Sequence, residues 1–197
     1  RYSMRTRAGG AVFTVFSAIG LLAALTLTIE RFKLLEDASY VPSCSLNPVL
    51  SCGSVMVTKQ AALFGFPNPI LGIAAFSVAL VAGVLLLGRV ELPHWFWLGM
   101  TGGLLLGEVF VHWLIFESLY EIGALCPYCM VVWVVTIPLF WFTTLHHLRA
   151  LAETSTPAVR RAVRLVIEFR VPLLVAWYLV ILTLIAVRFW DYWSTLF

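Results

Sequence analysis

The stretch CPYCMVVWVVTIPLFWFTTL, residues 126–145, combines two cysteines with a long uncharged apolar run. About 20 apolar residues are enough for a helix to cross the ~30 Å hydrocarbon core of a bilayer. Cys126 and Cys129 lie where this run begins. The stretch therefore predicts a transmembrane helix that presents a pair of thiols at one of its ends.

Four further runs of the chain have a similar length and character. They cover residues 11–29, 69–87, 95–116 and 171–187. The chain of 197 residues is 61% hydrophobic and 12% charged, with a mean hydropathy of +0.96. A soluble domain of this composition lacks the polar surface to cover itself. We therefore expect an all-α membrane protein, a four-helix transmembrane bundle plus a fifth transmembrane helix, in one domain over residues 1–197.

The first run follows several arginines, as the hydrophobic region of a signal peptide does. It is long for such a region, and Glu30-Arg31-Phe32 is a poor cleavage site because cleavage needs small residues. We therefore expect a retained transmembrane span.

The distribution of basic residues predicts the orientation, because cytoplasmic loops are enriched in lysine and arginine. With the N-terminus inside, the cytoplasmic side holds Arg1, Arg5, Arg7, Arg89, Arg149, Arg160, Arg161, Arg164 and Arg170. The outer side holds Arg31, Lys33, Lys59 and Arg188. This orientation places the loop 30–68 and all four cysteines outside, where disulfides persist. That side is the periplasm, the cell exterior or the ER lumen, and the net charge of +3 does not indicate a nucleic acid partner.

The sequence also predicts the structure of three other segments. The outer loop 30–68 is too long for a mere connector, and Val49–Phe66 reads as a lid-like half-helix across the outer mouth of the bundle, with an ordered surface loop as the alternative. The basic segment 154–170 is expected to be a linker along anionic headgroups. Glycines at positions 99, 103 and 107 recur every four residues, which predicts close approach of another helix.

The placement of Cys126 and Cys129 indicates redox chemistry. If Cys126 caps the helix, Pro127 occupies its first position, and the positive end of the helix dipole stabilises a thiolate. A thiolate is the attacking species in disulfide exchange. A fixed disulfide and a zinc site remain alternatives at this point. The loop pair Cys44 and Cys52 favours a relay, in which electrons move from an outside protein to a lipid-soluble quinone.

Three motifs together resemble the vitamin K epoxide reductase family in its bacterial, disulfide-forming version. They are CSLNPVLSCGSVMVTK (44–59), FPNPILG (66–72) and CPYCMVVW (126–133). The resemblance implies that reducing equivalents pass from a thioredoxin-like protein, of the DsbA type in bacteria, to a quinone such as menaquinone, ubiquinone or vitamin K. It also implies a bacterial inner (plasma) membrane, with the cysteines on the periplasmic or extracellular side. We expect no metal, because Cys44 and Cys52 do not have the spacing of a zinc knuckle and an oxidising compartment works against a zinc site. Some members carry a fused thioredoxin domain, and we expect a separate partner protein here.

The resemblance also assigns roles to residues. Cys44 and Cys52 would be the shuttle pair, Cys52 would exchange with Cys126, and Cys129 would be the thiolate that attacks the quinone. Thr58 and Asn68 match family positions at the quinone, although Thr58 could instead cap a turn and Asn68 could start the second span. Trp133 stands where many animal members have a tyrosine, so it offers an aromatic wall without a hydroxyl.

Glu108 and His112 lie one turn apart on the third span. Ionisable groups inside a span are costly and are functional candidates. They could deliver the protons that quinone reduction consumes, or form an interhelical hydrogen bond.

The sequence thus predicts a membrane thiol–quinone oxidoreductase that reoxidises a DsbA-type protein and so supports disulfide formation. One alternative is a reductase that regenerates vitamin K hydroquinone. Another is a non-enzymatic membrane adaptor with structural disulfides.

Overall fold

The computed structural model describes residues 7–196. Five helices in this range are long and apolar enough to cross a membrane: Gly9–Glu36, Pro69–Leu87, His94–Ile122, Pro127–Thr154 and Arg170–Arg188. The prediction of an all-α membrane protein is confirmed. Arg1 and Arg5, which enter the orientation argument, lie outside the described residues.

The helices are numbered in chain order. They are α1 (Arg7–Glu36), α2 (Cys52–Met56), α3 (Pro69–Leu87), α4 (His94–Phe116), α5 (Pro127–Thr154), α6 (Pro157–Glu168), α7 (Arg170–Arg188) and α8 (Trp190–Trp193). Three shorter segments complete the description: the 3-10 turns Lys59–Ala62 and Ser194–Leu196, and the π-helical turn Glu117–Ile122 that extends α4.

The described chain falls into two compact units, residues 7–139 and residues 140–196. The first unit contains α1 to α4 and the first part of α5, and the second contains the remainder of α5 with α6 to α8. All four cysteines lie in the first unit. The single-domain organisation stays a prediction.

The first unit is built on close packing between α1 and α3. A Cβ atom added to Gly83 would lie 2.7 Å from the backbone nitrogen of Thr14, and one added to Gly10 would lie 2.8 Å from that of Leu87. Only a residue without a side chain fits at such separations, so glycine permits this contact.

The prediction that the α4 glycines mediate a close helix contact is wrong. A Cβ atom added to Gly99 or Gly103 would meet no atom within 4 Å, and one added to Gly107 would meet only the methyl group of Thr136 at 3.9 Å. The spacing of small residues identifies a helix face without bulk, but it does not say whether another helix or open space lies against that face.

The outer loop is helical over a shorter stretch than the predicted Val49–Phe66. Helix α2 covers only Cys52–Met56, and its N-cap Ser51 accepts a hydrogen bond from the backbone N–H of Ser54. Thr58 has an extended backbone (φ −76°, ψ 157°), which separates α2 from the following 3-10 turn. The predicted lid therefore consists of two short helical pieces.

In the second unit, the segment predicted as a basic linker forms α6. Pro157 occupies its first turn, where a missing backbone N–H costs nothing. The Nε atom of Arg160 donates to the carbonyl oxygen of Ala152 at 3.2 Å and so caps the end of α5. Buried Val163 and exposed Arg161 and Arg164 give this helix distinct apolar and basic faces.

Candidate active site

The outer couple is a disulfide between Cys44 and Cys52, and both residues are buried. Cys52 is the first residue of α2. The hydroxyl oxygen of Ser45 accepts a hydrogen bond from the backbone N–H of Gly53 at 3.1 Å. This bond joins the residue after Cys44 to the residue after Cys52, so the two cysteines are held together by hydrogen bonding as well as by their covalent bond.

A buried carboxylate positions the chain beside Cys44. Glu30, near the end of α1, accepts hydrogen bonds from the backbone N–H of Ser43 at 3.0 Å and from its hydroxyl at 3.1 Å. The hydroxyl of Tyr40 donates a third at 3.1 Å. Sequence reasoning missed Glu30 because the predicted span stopped at the first charge. Its position directly after an uncharged run was the available indication.

A short backbone pairing brings the two cysteine couples together. The N–H of Ser51 donates to the carbonyl oxygen of Leu125 at 2.9 Å, and the N–H of Leu125 donates to that of Val49 at 2.7 Å. Because Ser51 precedes Cys52 and Leu125 precedes Cys126, this bridge sets the two cysteines side by side. Their sulfur atoms lie 3.1 Å apart.

The inner couple, Cys126 and Cys129, is present as two free thiols. Cys126 is buried just before α5, and Cys129 is half-buried in the first turn of that helix. The thiol of Cys129 donates a hydrogen bond to Cys126 and lowers the pKa of Cys126, although burial acts in the opposite direction. The backbone N–H groups of Cys129 and Tyr128 lower it further. These hydrogen bonds favour the thiolate form of Cys126.

Three of the sulfur atoms form a cluster. Those of Cys44, Cys52 and Cys126 lie within 4.8 Å of one another. Cysteine thiolates can bind zinc, but Cys44 and Cys52 share a disulfide here, so of these three only Cys126 has a free thiol. The arrangement suits thiol–disulfide exchange. The expectation that no metal takes part stays a prediction.

A cavity of about 650 Å³ lies beside Cys129. Its walls come from α1, α3, α4, α5 and the outer loop, and they are mainly apolar. The predicted quinone residues Thr58, Asn68 and Trp133 line it together with Cys129. Gly99, Gly103 and Gly107 line it as well, which explains the open space on that face of α4. The volume and the apolar walls suit a quinone ring.

Thr58 and Asn68 use polar groups to hold the outer loop. The hydroxyl of Thr58 donates to the carbonyl oxygen of Val55 at 2.7 Å. The side-chain oxygen of Asn68 accepts from the N–H of Leu63 at 3.0 Å, and its side-chain nitrogen donates to the carbonyl oxygen of Gln60 at 2.6 Å. One N–H of Asn68 is left to donate to a ligand, whereas the Thr58 hydroxyl must rotate to do so.

Trp133 offers more than an aromatic wall. Its side chain is 3% exposed, and its indole N–H is buried with no hydrogen-bond partner among the described residues. An unpartnered buried donor is costly unless a ligand or water completes it. Trp133 thus lacks the hydroxyl that a tyrosine would offer, but it supplies an indole N–H instead. This donor was not part of the sequence-based prediction.

Glu108 and His112 contact each other within α4. Nδ1 of His112 lies 3.1 Å from the Glu108 carboxylate and 3.0 Å from the backbone oxygen of Glu108. The Glu108 side chain is buried, and that of His112 is 41% exposed. Their neighbours Gly107 and Val111 line the cavity, but in the part of the chain described here the pair itself does not. A role in proton delivery stays a prediction.

A comparison with known protein families gives a match over most of the first unit. The sequence profile of the vitamin K epoxide reductase family matches residues 11–144, which include all four cysteines and every predicted site residue. A comparison with individual curated proteins gave no match. The family consists of membrane thiol–quinone oxidoreductases that work with a thioredoxin-like partner. The chain, with its clustered cysteines and the apolar cavity beside Cys129, belongs to the vitamin K epoxide reductase family.

Proposed function

We propose that this protein reoxidises a thioredoxin-like protein of the DsbA type and passes the electrons to a membrane quinone, thereby supporting disulfide formation. The observation that carries the proposal is the 3.1 Å separation between the sulfur atoms of Cys52 and Cys126. This distance links a disulfide in the outer loop to a pair of free thiols at the cavity. An adaptor with only structural disulfides needs neither the contact nor the cavity.

Electron entry begins with both couples oxidised. A thiolate of the partner attacks Cys44 and forms a mixed disulfide, and Cys52 leaves as a thiolate. The second partner thiol then attacks this mixed disulfide, which releases oxidised partner and the Cys44 thiol. Two electrons have now moved from the partner to the outer couple. Attack at Cys44 is favoured because it frees Cys52 next to Cys126.

Transfer to the inner couple uses the same chemistry. The Cys52 thiolate attacks Cys126 of the Cys126–Cys129 disulfide, and Cys129 leaves as a thiolate at the cavity wall. Cys44 then attacks Cys52, which restores the outer disulfide and releases Cys126. The result is the described thiol pattern, an oxidised outer couple and a reduced inner couple, poised for electron exit.

Electron exit restores the disulfide between Cys126 and Cys129. A quinone supplies the electron sink, since it takes up two electrons and two protons on becoming a quinol. Of the two inner cysteines, Cys129 lines the cavity and delivers the electrons, while Cys126 closes the disulfide. The apolar walls exclude water, Asn68 and Trp133 orient the ring through their N–H groups, and Thr58 does so after its hydroxyl rotates. Glu108 and His112 are the proposed source of protons.

We further propose that the cysteines face the periplasm of a bacterial inner membrane. The excess of arginines on the opposite side supports this orientation. A disulfide between Cys44 and Cys52 agrees with an oxidising compartment.

The test is quinone reduction by purified protein with a reduced DsbA-type donor. Wild type should reduce the quinone, Cys129→Ala should fall to background, and Cys44→Ala should lose turnover with the protein donor. Because a small dithiol can reach the inner couple directly, Cys44→Ala should keep part of its activity with dithiothreitol. Equal activity of wild type and Cys129→Ala would contradict the proposal.

A further inference from the structure

Arg31 is the one charged residue among the described residues that line the cavity. It lies one helical turn after Leu27, which packs against Cys44, Cys52 and Cys126. Arg31 and Leu27 both line the cavity, so Arg31 belongs to the part of the wall next to the cysteine cluster. In the sequence, Arg31 counts only as one of the positive charges on the outer side.

The guanidinium group of Arg31 has a donor that is left without an acceptor among the described residues. Its Nε atom is buried and has no hydrogen-bond partner within residues 7–196. The adjacent Glu30 carboxylate is occupied by Tyr40 and Ser43. A buried guanidinium donor without an acceptor is costly, so its retention in the wall of an apolar cavity calls for an acceptor that arrives with the ligand.

Three other polar side chains of the cavity hold the outer loop, whereas the indole N–H of Trp133 is, like the Nε atom of Arg31, without a partner among the described residues. The Thr58 hydroxyl bonds Val55, the Asn68 amide bonds Gln60 and Leu63, and the Gln60 amide donates to Glu117 at 3.1 Å. These bonds hold the outer loop in place. Arg31 therefore contributes the strongest donor that the loop does not use.

We propose that Arg31 binds a ring oxygen of the quinone and stabilises the negative charge that this oxygen gains as electrons arrive. The inference rests on the proposed function and adds the polar anchor of the ring. A guanidinium group suits the role because it stays charged and donates several hydrogen bonds in a fixed geometry. A cation held in a water-excluded site favours the reduced ring over the oxidised one, which promotes electron exit from Cys129.

The test compares two naphthoquinone probes in protein whose inner couple has been oxidised beforehand, without a thiol donor, so that no turnover occurs. A hydroxynaphthoquinone is anionic at neutral pH, and a methylnaphthoquinone of similar size is neutral. Their Kd values are measured by quenching of tryptophan fluorescence in detergent-solubilised protein. Wild type should prefer the anionic ring. Arg31→Gln should weaken binding of the anionic ring by about 10- to 100-fold, the range expected for one charged hydrogen bond, and affect the neutral ring less.

Two further variants keep the result interpretable. Arg31→Lys keeps the charge and should retain part of the preference. Lys59→Gln removes an exposed cation between Thr58 and Gln60, which both line the cavity, and should leave the preference unchanged. The inference is overturned if Arg31→Gln keeps the wild-type preference. It is also overturned if Lys59→Gln loses the preference equally, since the effect would then be one of general surface charge. Quinone reduction by wild type is scored separately, so the proposed function can stand while this inference fails.

Discussion

The two cysteine couples lie in contrasting surroundings. Cys44 and Cys52 belong to an irregular outer loop held by polar contacts from Glu30, Ser43 and Ser45. Cys126 and Cys129 lie at the start of a long apolar helix, and Cys129 borders an apolar cavity. Hydrogen bonds to a loop can open at modest cost, whereas a helix terminus in a packed bundle is fixed. The outer couple is thus suited to exchange with a protein, and the inner couple to a lipid-soluble acceptor.

The role of the cavity can be tested by filling its open space with a larger side chain. Gly103→Leu should fold normally, because a Cβ atom there meets nothing within 4 Å, and its side chain should occupy the space that we propose for the quinone ring. We expect the KM for quinone to rise by at least about tenfold, since ligand and side chain compete for one volume. Steady-state quinone reduction measures this.

Gly102→Leu is the matched control for that variant. Gly102 is exposed, a Cβ atom there also meets nothing within 4 Å, and the residue is absent from the described cavity wall. Its KM should stay at the wild-type value. Equal effects of the two substitutions would argue against the cavity as the quinone site.

The role of the outer loop can be tested by a substitution at Glu30. Glu30→Gln removes the charge that accepts three hydrogen bonds beside Cys44. Hydrogen bonds to a charged group contribute about 1.5–3 kcal/mol, so we expect lower stability and about a tenfold slower exchange with the protein donor. Stopped-flow mixing with reduced donor measures the exchange. The subsequent reduction of quinone by the inner couple should change much less.

Asp37→Asn is the control for the Glu30 variant. Asp37 also accepts hydrogen bonds, from the backbone and hydroxyl of Ser39, and these bonds lower the pKa of Asp37. It is exposed and makes no described contact with a cysteine. Its exchange rate should match wild type. A similar loss in both variants would remove the positioning role of Glu30.

The sequence predicted the chemical groups of the site better than their arrangement in space. The five spans and the two cysteine couples follow from apolar runs and residue spacing, and these were predicted. The pairing of Val49 and Ser51 with Leu125 was not, because it joins distant backbone groups that carry no residue-type preference. Glu30 and Arg31 were read as the end of a span, yet the longer α1 carries both into the site. The empty face of α4 could not be told from a packed one.

The inner couple can be examined by its pH dependence. The hydrogen bond from the Cys129 thiol lowers the pKa of Cys126, so the Cys126 thiolate forms at a lower pH than it would without this hydrogen bond. With Cys44 and Cys52 replaced by serine, Cys129→Ala should raise the pKa of Cys126 and shift its alkylation by iodoacetamide to higher pH. Cys129→Ser keeps a hydroxyl donor and should shift it less. An unchanged profile in Cys129→Ala would mean that another group sets this pKa.

The smallest effect is expected at Glu108. Glu108→Gln removes a carboxylate that contacts His112 but does not line the described cavity wall, so we expect quinone reduction to slow only about threefold to tenfold, below the usual range for a direct general acid. Exchange between the cysteine couples should be unaffected. Unchanged quinone reduction would remove the pair from the proton path.

The most direct measurement is to trap the contact between the two couples. Cys44→Ala/Cys129→Ala leaves only Cys52 and Cys126, whose sulfur atoms lie 3.1 Å apart. After mild oxidation, mass spectrometry of the digested protein should find these two residues joined in a disulfide. Cys44→Ala/Cys126→Ala, which leaves Cys52 and Cys129, should form far less. If Cys52 and Cys126 stay as free thiols under these conditions, electrons do not pass between the couples by this route.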